Sequence, residues 1–403
     1  MVNPRKIALL SLLYFVQGMP FGFQAKALPI FLRTQGVSTR EIGWLGVLAL
    51  PWLLKPLWAP LVDRYGTRRQ WIIPLQLGLA STCVVASFLN PVTHLAWLLG
   101  LVLLMNVFAA TQDIAVDGLA IELLAEDELG PGNSAQVVGY KLGMLLSGGL
   151  LLTLVDEAGW SLLFLAMASV AVITLLAIVW IPSESRTAQT ETISIREIVS
   201  VLVTSVRGRA GFWLLILTVT YKSGEAMNDA MFKPFLVDIG LSVGQIGLWL
   251  GTWGMAFSIA GSVLGGVAVI RYGVMHTLLY ASIFRLIPLC AQVVLAVHGA
   301  PGDVEVIAVT CAEHFFGGAL TTVMFAFMMK HVDRSIGATH FTALAALEVV
   351  GKMWGPPVAG TMVANMGFSG YSIVFVVGSA LSAMFVVLVW CSFDRLRGQS
   401  AVG

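Results

Sequence analysis

Thr111-Gln112-Asp113-Ile114-Ala115-Val116-Asp117-Gly118 is the stretch that decides how this chain is read. It lies inside a run apolar enough to cross a bilayer, yet it carries two carboxylates four residues apart. A charged side chain at bilayer depth costs at least ~2.5–3.5 kcal/mol, so such groups face a protected interior or a water-filled cavity and usually work there. The rest of the chain agrees. Of its 403 residues, 58% are apolar and 11% charged, against roughly 25% charged in a soluble domain. The mean hydropathy is +0.87. So little charge cannot cover a water-facing surface, and the membrane is the expected solvent. The formal net charge of +1 gives no case for a nucleic-acid partner.

The four cysteines, Cys83, Cys290, Cys311 and Cys391, sit in apolar runs at irregular spacing. They suggest neither a disulfide framework nor a metal site and read as small hydrophobes. Arg5 and Lys6 precede an apolar run reaching Leu32, too long for a signal-peptide core and interrupted by Gln17, Gln24 and Lys26. It reads as a retained first helix. A spanning helix needs ~20 mainly apolar residues. Twelve such runs are expected, at about 7–32, 41–62, 70–90, 95–123, 135–155, 159–181, 210–237, 243–270, 276–298, 303–330, 339–365 and 369–392. Short turn-rich breaks separate them, such as Asn90-Pro91 and Gly130-Pro131-Gly132-Asn133. The fold class expected is therefore an all-α polytopic membrane protein. The one long polar stretch, 182–209, divides it into an N-terminal bundle (1–181) and a C-terminal bundle (210–403).

Lysine and arginine set the orientation. With a cytoplasmic N-terminus, the inside segments hold Arg5, Lys6, Arg64, Arg68, Arg69, Arg186, Arg196, Arg207, Arg209, Arg271, Lys330, Arg334, Arg395 and Arg397. The outside loops hold only Arg33 and Arg40. Both termini are thus expected in the cytoplasm. The halves also repeat one another. Gly36-x-Ser38-x-x-x-Ile42-Gly43 matches Gly240-x-Ser242-x-x-x-Ile246-Gly247, Arg64-Tyr65-Gly66 matches Arg271-Tyr272-Gly273, and Pro29 corresponds to Pro234. Three matches in one order, half a chain apart, point to a parallel duplication.

Ionisable residues recur inside the runs. Asp113 and Asp117 stack on one helix side, with Glu122 on a neighbouring face. Two carboxylates this close repel, so one is expected to hold a proton unless a base is near. That suits proton coupling; paired lysines bracing the bundle are the plainer alternative. In the seventh run, Lys222, Glu225, Asp229 and Lys233 follow at spacings of three, four and four, one face reading plus, minus, minus, plus. Such a stripe is expected to line a cavity, with a structural ion ladder as the alternative. Gly224 and Pro234 can bend that helix. Further candidates are Lys26, Lys55, Lys141, Arg285, Glu313 with His314, and Glu348 with Lys352. The last pair is four apart in the favourable acid-first order. His314 can relay a proton or simply be structural. Gln17 and Gln24, seven apart, can bond a polar solute or a neighbouring helix, and Pro20 permits a kink between them. Asp63-Arg64-Tyr65-Gly66-Thr67-Arg68-Arg69 sits in the second loop. An aspartate at a helix end and arginines on a tight turn can latch a neighbouring helix in one conformation and release it in another. The plainer reading is an ordinary positive loop. No phosphate-binding G-x-x-x-x-G-K-[ST] or H-E-x-x-H motif occurs, so neither an ATP engine nor a zinc hydrolase of that type has support.

The Asp63–Arg69 loop resembles the D-R-x-G-R-R signature of the major facilitator superfamily, with Ala59 where that family usually has glycine. Five stretches resemble its muropeptide permease and acetyl-CoA transporter branch, with related siderophore-uptake permeases. They are Tyr14-x-x-Gln17-Gly18-x-Pro20-x-Gly22, Trp52-x-x-Lys55-x-x-Trp58-Ala59-Pro60-x-x-Asp63, Gln112-Asp113-x-x-x-Asp117-Gly118, Gly139-Tyr140-Lys141-x-Gly143 and Tyr221-Lys222-x-Gly224-Glu225. The resemblance implies a twelve-helix alternating-access fold of two pseudo-symmetric six-helix bundles, moving a sizeable polar, often anionic solute on a proton gradient. It does not choose among muropeptide, siderophore and acyl-CoA.

The reading is a secondary transporter with small-molecule substrate, protons and lipid as partners, needing no cofactor, metal or nucleic acid, and not an enzyme. It is expected to be a monomer in a bacterial inner membrane. Proton coupling is assigned to Asp113, Asp117, Glu225 and Asp229. Substrate contacts are assigned to Gln17, Gln24, Lys26, Lys55, Lys141, Tyr221, Lys222, Glu313 and Lys352, and gating to Asp63, Arg64, Arg68 and Arg69. A passive facilitator and a non-transporting solute sensor are the alternatives.

Overall fold

A computed structural model describes residues 3–28, 47–48, 50–90, 93–150, 155–179, 196, 200, 203–204, 207–241, 243–299 and 301–397. The first-half copy of the repeat at Gly36–Gly43, Pro29, Arg33, Arg40 and most of 182–209 lie outside these residues, as does the side chain of Lys26. The chain forms two compact units. One takes in 1–124, 135–201 and 333–342; the other takes in 125–134, 202–332 and 343–403. Among the described residues, seven helical segments are long and apolar enough to cross a membrane: 68–87, 95–123, 159–176, 248–272, 274–298, 303–330 and 369–393.

In the first unit, α1 (Pro4–Gly22) opens on Asn3, whose side chain accepts from the Arg5 amide, with proline at its first position. Pro20 does not end the helix; a π-helical turn, Phe23–Ala27, follows it. The second apolar run is not one helix. Pro51, Pro56 and Pro60 cannot donate and crowd the preceding turn. The run splits into α2 (Leu50–Leu54), a 3₁₀ turn (Lys55–Leu57) and α3 (Ala59–Arg64). Gly66 then takes a positive φ of 69°, and Thr67 and Gln70 cap α4 (Arg68–Ser87) reciprocally. The unit continues through α5 (Leu95–Leu123), α6 (Leu129–Leu145, in this unit from Ala135 on) and α7 (Val155–Val179). Helices α1 and α6 pack through glycine: a Cβ at Gly139 would meet the Ser11 carbonyl, and one at Gly143 the Phe15 carbonyl. Where lipid gives no hydrophobic drive between helices, such close approach supplies the packing. Met19, Phe23, Phe164 and Met167 join the buried apolar core beside it.

In the second unit the seventh run is broken. Tyr221 and Lys222 form a turn between α8 (Gly208–Thr220) and α9 (Ser223–Asp238). After α10 (Val243–Ile246), a π-helical segment, Gly247–Trp253, leads into α11 (Gly254–Tyr272). Helices α12 (Val274–His298) and α13 (Asp303–Lys330) are unbroken. The eleventh run also breaks, at Trp354 before Pro356-Pro357, into α14 (Gly337–Met353), whose residues up to 342 belong to the first unit, and α15 (Gly355–Met366), and α16 (Ser369–Arg397) closes the chain. Glycines again set the approach. A Cβ at Gly261 would meet the Phe315 carbonyl, and one at Gly351 the Val219 carbonyl. Phe232, Phe235, Tyr371 and Phe375 build the apolar core.

Candidate functional site

The polar residues of the first unit converge on α5. Lys55 is 6% exposed and its ammonium pairs with Asp113 Oδ2. The prolines put it there: the 3₁₀ turn between two short helices lets Lys55 point across to α5 while Trp52, one turn earlier, stays beside it. The ammonium lies 5.7 Å from the Trp52 ring centroid, a favourable cation–π distance. One turn along α5, Asp117 Oδ1 accepts from the Tyr14 hydroxyl (2.7 Å) and from Gln136 Nε2 (3.2 Å). Two turns the other way, Asn106 accepts from Trp52 Nε1 (2.8 Å) and donates to Gln24 (2.6 Å). Phe21, Trp52 and Tyr140 form an aromatic cluster with centroids 6.0–6.5 Å apart. Gln17 is buried, and among the described residues its amide has no hydrogen-bond partner. Lys141 is half-buried on α6.

The second unit holds two polar clusters. In one, Arg285 on α12 is 2% exposed. It bonds Glu225 (3.1 Å) on α9 and both the carboxylate and the backbone carbonyl of Glu313 on α13. The carboxylate of Asp229 lies within 4.8 Å of those of Glu225 and Glu313. In the other, Glu348 on α14 takes Lys352 (3.1 Å), Lys222 (3.7 Å) and the Tyr221 hydroxyl (3.2 Å). The expected four-residue stripe on one helix is thereby corrected. Lys222 belongs to the turn before α9 and serves Glu348, while Glu225 and Asp229 serve Arg285. Lys233 is exposed.

The loop after α3 is built around Asp63. Its carboxylate bonds Arg68 (2.7 Å) and accepts from the backbone amides of Ala338 (3.3 Å) and Thr339 (2.7 Å) in the first turn of α14. A helix N-terminus presents free amides and partial positive charge, so a buried carboxylate is well placed there. Arg68 also bonds Glu122 (2.8 Å) on α5. Arg64 instead lies over Tyr65, and Arg69 is half-buried.

The donors that hold Asp117 are not among the candidates the sequence offers: Tyr14 stands only within a motif, and Gln136 is one polar residue among many. Arg285 stands in the sequence only among the intramembrane candidates, with no role assigned. The signal for Arg285 was its isolation, a single arginine inside a 25-residue apolar helix. Trp52, Asn106 and Gln136 left no such signal, because tryptophan and amides are ordinary at helix interfaces.

Long apolar helices carrying buried ion pairs and facing carboxylates define a polytopic membrane protein that moves small solutes. Residues 10–224 match the model of the Major Facilitator Superfamily. Anhydromuropeptide permease of Escherichia coli K12 is 30% identical over 402 residues, covering 96% of this chain and 80% of that protein. The putative transporter AmpG 4 of Rickettsia conorii is 26% identical, covering 94% of each. Among solved structures, the human organic anion transporter MFSD10 superposes with a TM-score of 0.76 at 14% identity, covering 96% of this chain and 99% of the other. The transporter FucP in its outward conformation gives 0.74 at 14% identity, covering 95% and 97%. The chain belongs to the Major Facilitator Superfamily, has its twelve-helix fold and is an integral membrane transporter of the muropeptide permease type, not an enzyme.

Proposed function

We propose that this protein is a proton-coupled carrier of a polar, anionic organic solute of the muropeptide class, working by alternating access in a bacterial inner membrane. In this reading, 1–181 and 210–403 are its two bundles, 182–209 is their cytoplasmic linker and both termini are cytoplasmic. The observation that carries it is the Lys55–Asp113 pair with Asp117 one helical turn away. One base beside two carboxylates leaves a negative charge that a proton can neutralise. With Asp113 or Asp117 protonated, Lys55 is released to a substrate carboxylate. Lys141 and the aromatic cluster add a second cation and apolar faces for a sugar. In the second unit, Arg285 among Glu225, Glu313 and Asp229 offers the same chemistry, one base facing several carboxylates. Asp63 and Arg68 act as the latch; the bonds from the first turn of α14 to Asp63, which Arg68 holds in place, keep one state. The identity of the E. coli relative favours a muropeptide over a siderophore or an acyl-CoA.

Purified protein in proteoliposomes tests this with a radiolabelled anhydromuropeptide. Counterflow reports carriage, and uptake driven by an imposed pH gradient, with and without an uncoupler, reports coupling. The expected results are counterflow and uncoupler-sensitive uptake in the wild type. Asp117→Asn is expected to keep counterflow and lose gradient-driven accumulation. Uptake that an uncoupler leaves unchanged would make the protein a passive facilitator, and absent counterflow would remove the substrate class.

A further inference from the structure

Helices α11 and α12 part from the turn at Gly273, whose φ is 75°, and each packs more on α13 than on the other. Glycine brings α11 onto α13: a Cβ at Gly261 would fall 1.9 Å from the Phe315 carbonyl oxygen, and one at Gly265 2.9 Å from that of Ala319. The three helices leave a groove of about 490 Å³ lined by Leu264, Ala268 and Tyr272 of α11, Tyr280 and Phe284 of α12, and Phe315 of α13. Leu264, Tyr272, Tyr280 and Phe284 are all exposed, so the groove opens outward, toward lipid. From Leu264 to Tyr272 it follows α11 for about 12 Å at ~1.5 Å per residue. That is most of the ~15 Å depth of one leaflet's hydrocarbon.

One end of the groove is charged. Residues 264, 268, 271 and 272 recur at the spacing of a single helical face, and Arg271 stands there in the last turn of α11. Its exposed guanidinium lies 5.5 Å from the Tyr272 ring centroid. No carboxylate pairs with it among the described residues, and 239–302 contains no acidic residue. The first unit holds the same device: Arg64 lies 5.1 Å from the Tyr65 ring and Gly66 also has a positive φ. There Asp63 precedes the arginine and makes the latch; in the second copy that position is Ile270. Arg271 therefore keeps the stacking without the acid. A second outward groove, of about 570 Å³, lies between the other end of α11 and the start of α13 and is lined by Trp253, Phe257, Val304 and Ile307. Asp303 and Glu305 flank Val304, so the charge there has the opposite sign.

We propose that the groove ending at Arg271 is a binding site for an anionic glycerophospholipid. One acyl chain lies along α11 over Phe315. The phosphate takes the Arg271 guanidinium, a charge-assisted contact of the kind arginine makes best. The Tyr272 hydroxyl sits beside it at the headgroup level, where tyrosine is favoured. The groove at Trp253 can hold an acyl chain but repels an anionic headgroup. The site is independent of the transported solute and of proton coupling.

The full chain in detergent micelles is titrated with dioleoylphosphatidylglycerol and with dioleoylphosphatidylcholine and followed by native mass spectrometry. Wild type is expected to retain one equivalent of phosphatidylglycerol with about fivefold preference, the effect of one arginine close to an anionic lipid. Arg271→Gln, at an exposed helix end, is expected to lose the preference while still retaining lipid, and Arg271→Lys to keep it. Ala268→Phe fills the groove and is expected to release the bound equivalent; Leu264→Trp on the exposed rim is the second such variant if Ala268→Phe does not fold. Ala308→Phe, in the other groove, is expected to leave the preference as it is. Bound lipid should also raise the unfolding temperature by mass action, with phosphatidylglycerol ahead of phosphatidylcholine in wild type and the two equal in Arg271→Gln. Equal retention of both lipids by wild type, or a preference that survives in Arg271→Gln, would mean lipid held only as an annulus and overturns the proposal. So does a bound equivalent that both groove-filling variants retain.

Discussion

Lys55 and Asp113 allow bracing and transport to be told apart. Both are buried, with side chains 8% and 10% exposed. Lys55→Met keeps the length of the side chain and its contact with Trp52 but strands the Asp113 carboxylate; Asp113→Leu strands the ammonium. Removing one partner of a buried pair costs about 3–5 kcal/mol, because an uncompensated charge stays buried. Replacing both partners by apolar groups of similar volume is often neutral. Each single variant is therefore expected to lose about 3–5 kcal/mol, and the double variant to return to within about 1 kcal/mol of wild type. Denaturant unfolding of the purified protein in micelles, followed by tryptophan fluorescence, measures all four corners of the cycle. Counterflow of labelled anhydromuropeptide is then measured on the double variant. A stable double variant that does not transport shows that the pair serves the solute as well as the bundle. Single variants of wild-type stability, or a double variant as unstable as the sum of the singles, would refute the buried-pair argument.

Two further outcomes are expected. Asp63→Asn removes the charge from a carboxylate held by Arg68 and two backbone amides of α14; charge-assisted bonds of this kind are worth about 1.5–3 kcal/mol each. Amide exchange at Ala338 and Thr339 should rise accordingly, and unchanged protection there would show that the carboxylate does not hold that turn. His331, just beyond α13, is held below its ordinary value mainly by burial. The unfolded chain therefore binds its proton more readily, so this contribution to stability is present above about pH 6.5 and is lost as the pH falls below it. His331→Gln should flatten that part of the stability profile, and an identical profile in the variant would remove the histidine from the account.

The fold was legible because lipid imposes a blunt rule: a spanning segment must be apolar over about 20 residues, and that pattern is written locally. The carboxylates of α5 stood out for the same reason. Where proline recurs, length misleads. Pro51, Pro56 and Pro60 turn an expected helix into two short helices and a 3₁₀ turn, and that break is what aims Lys55 at Asp113. The stripe from Lys222 to Lys233 reads as one face only on an unbroken helix. The turn at Tyr221–Lys222 hands the lysine to Glu348 instead.

The sequence by itself determined the solvent, the helical class and the roster of charged residues that lipid would reject, since each follows from composition and spacing along the chain. Tertiary structure alone decided the partners. Arg285 gathers Glu225 and Glu313 from 60 and 28 residues away, and Tyr14 reaches Asp117 across 103. Pairings of that kind depend on where helices cross and how closely glycines let them approach, and neither is encoded in any single stretch.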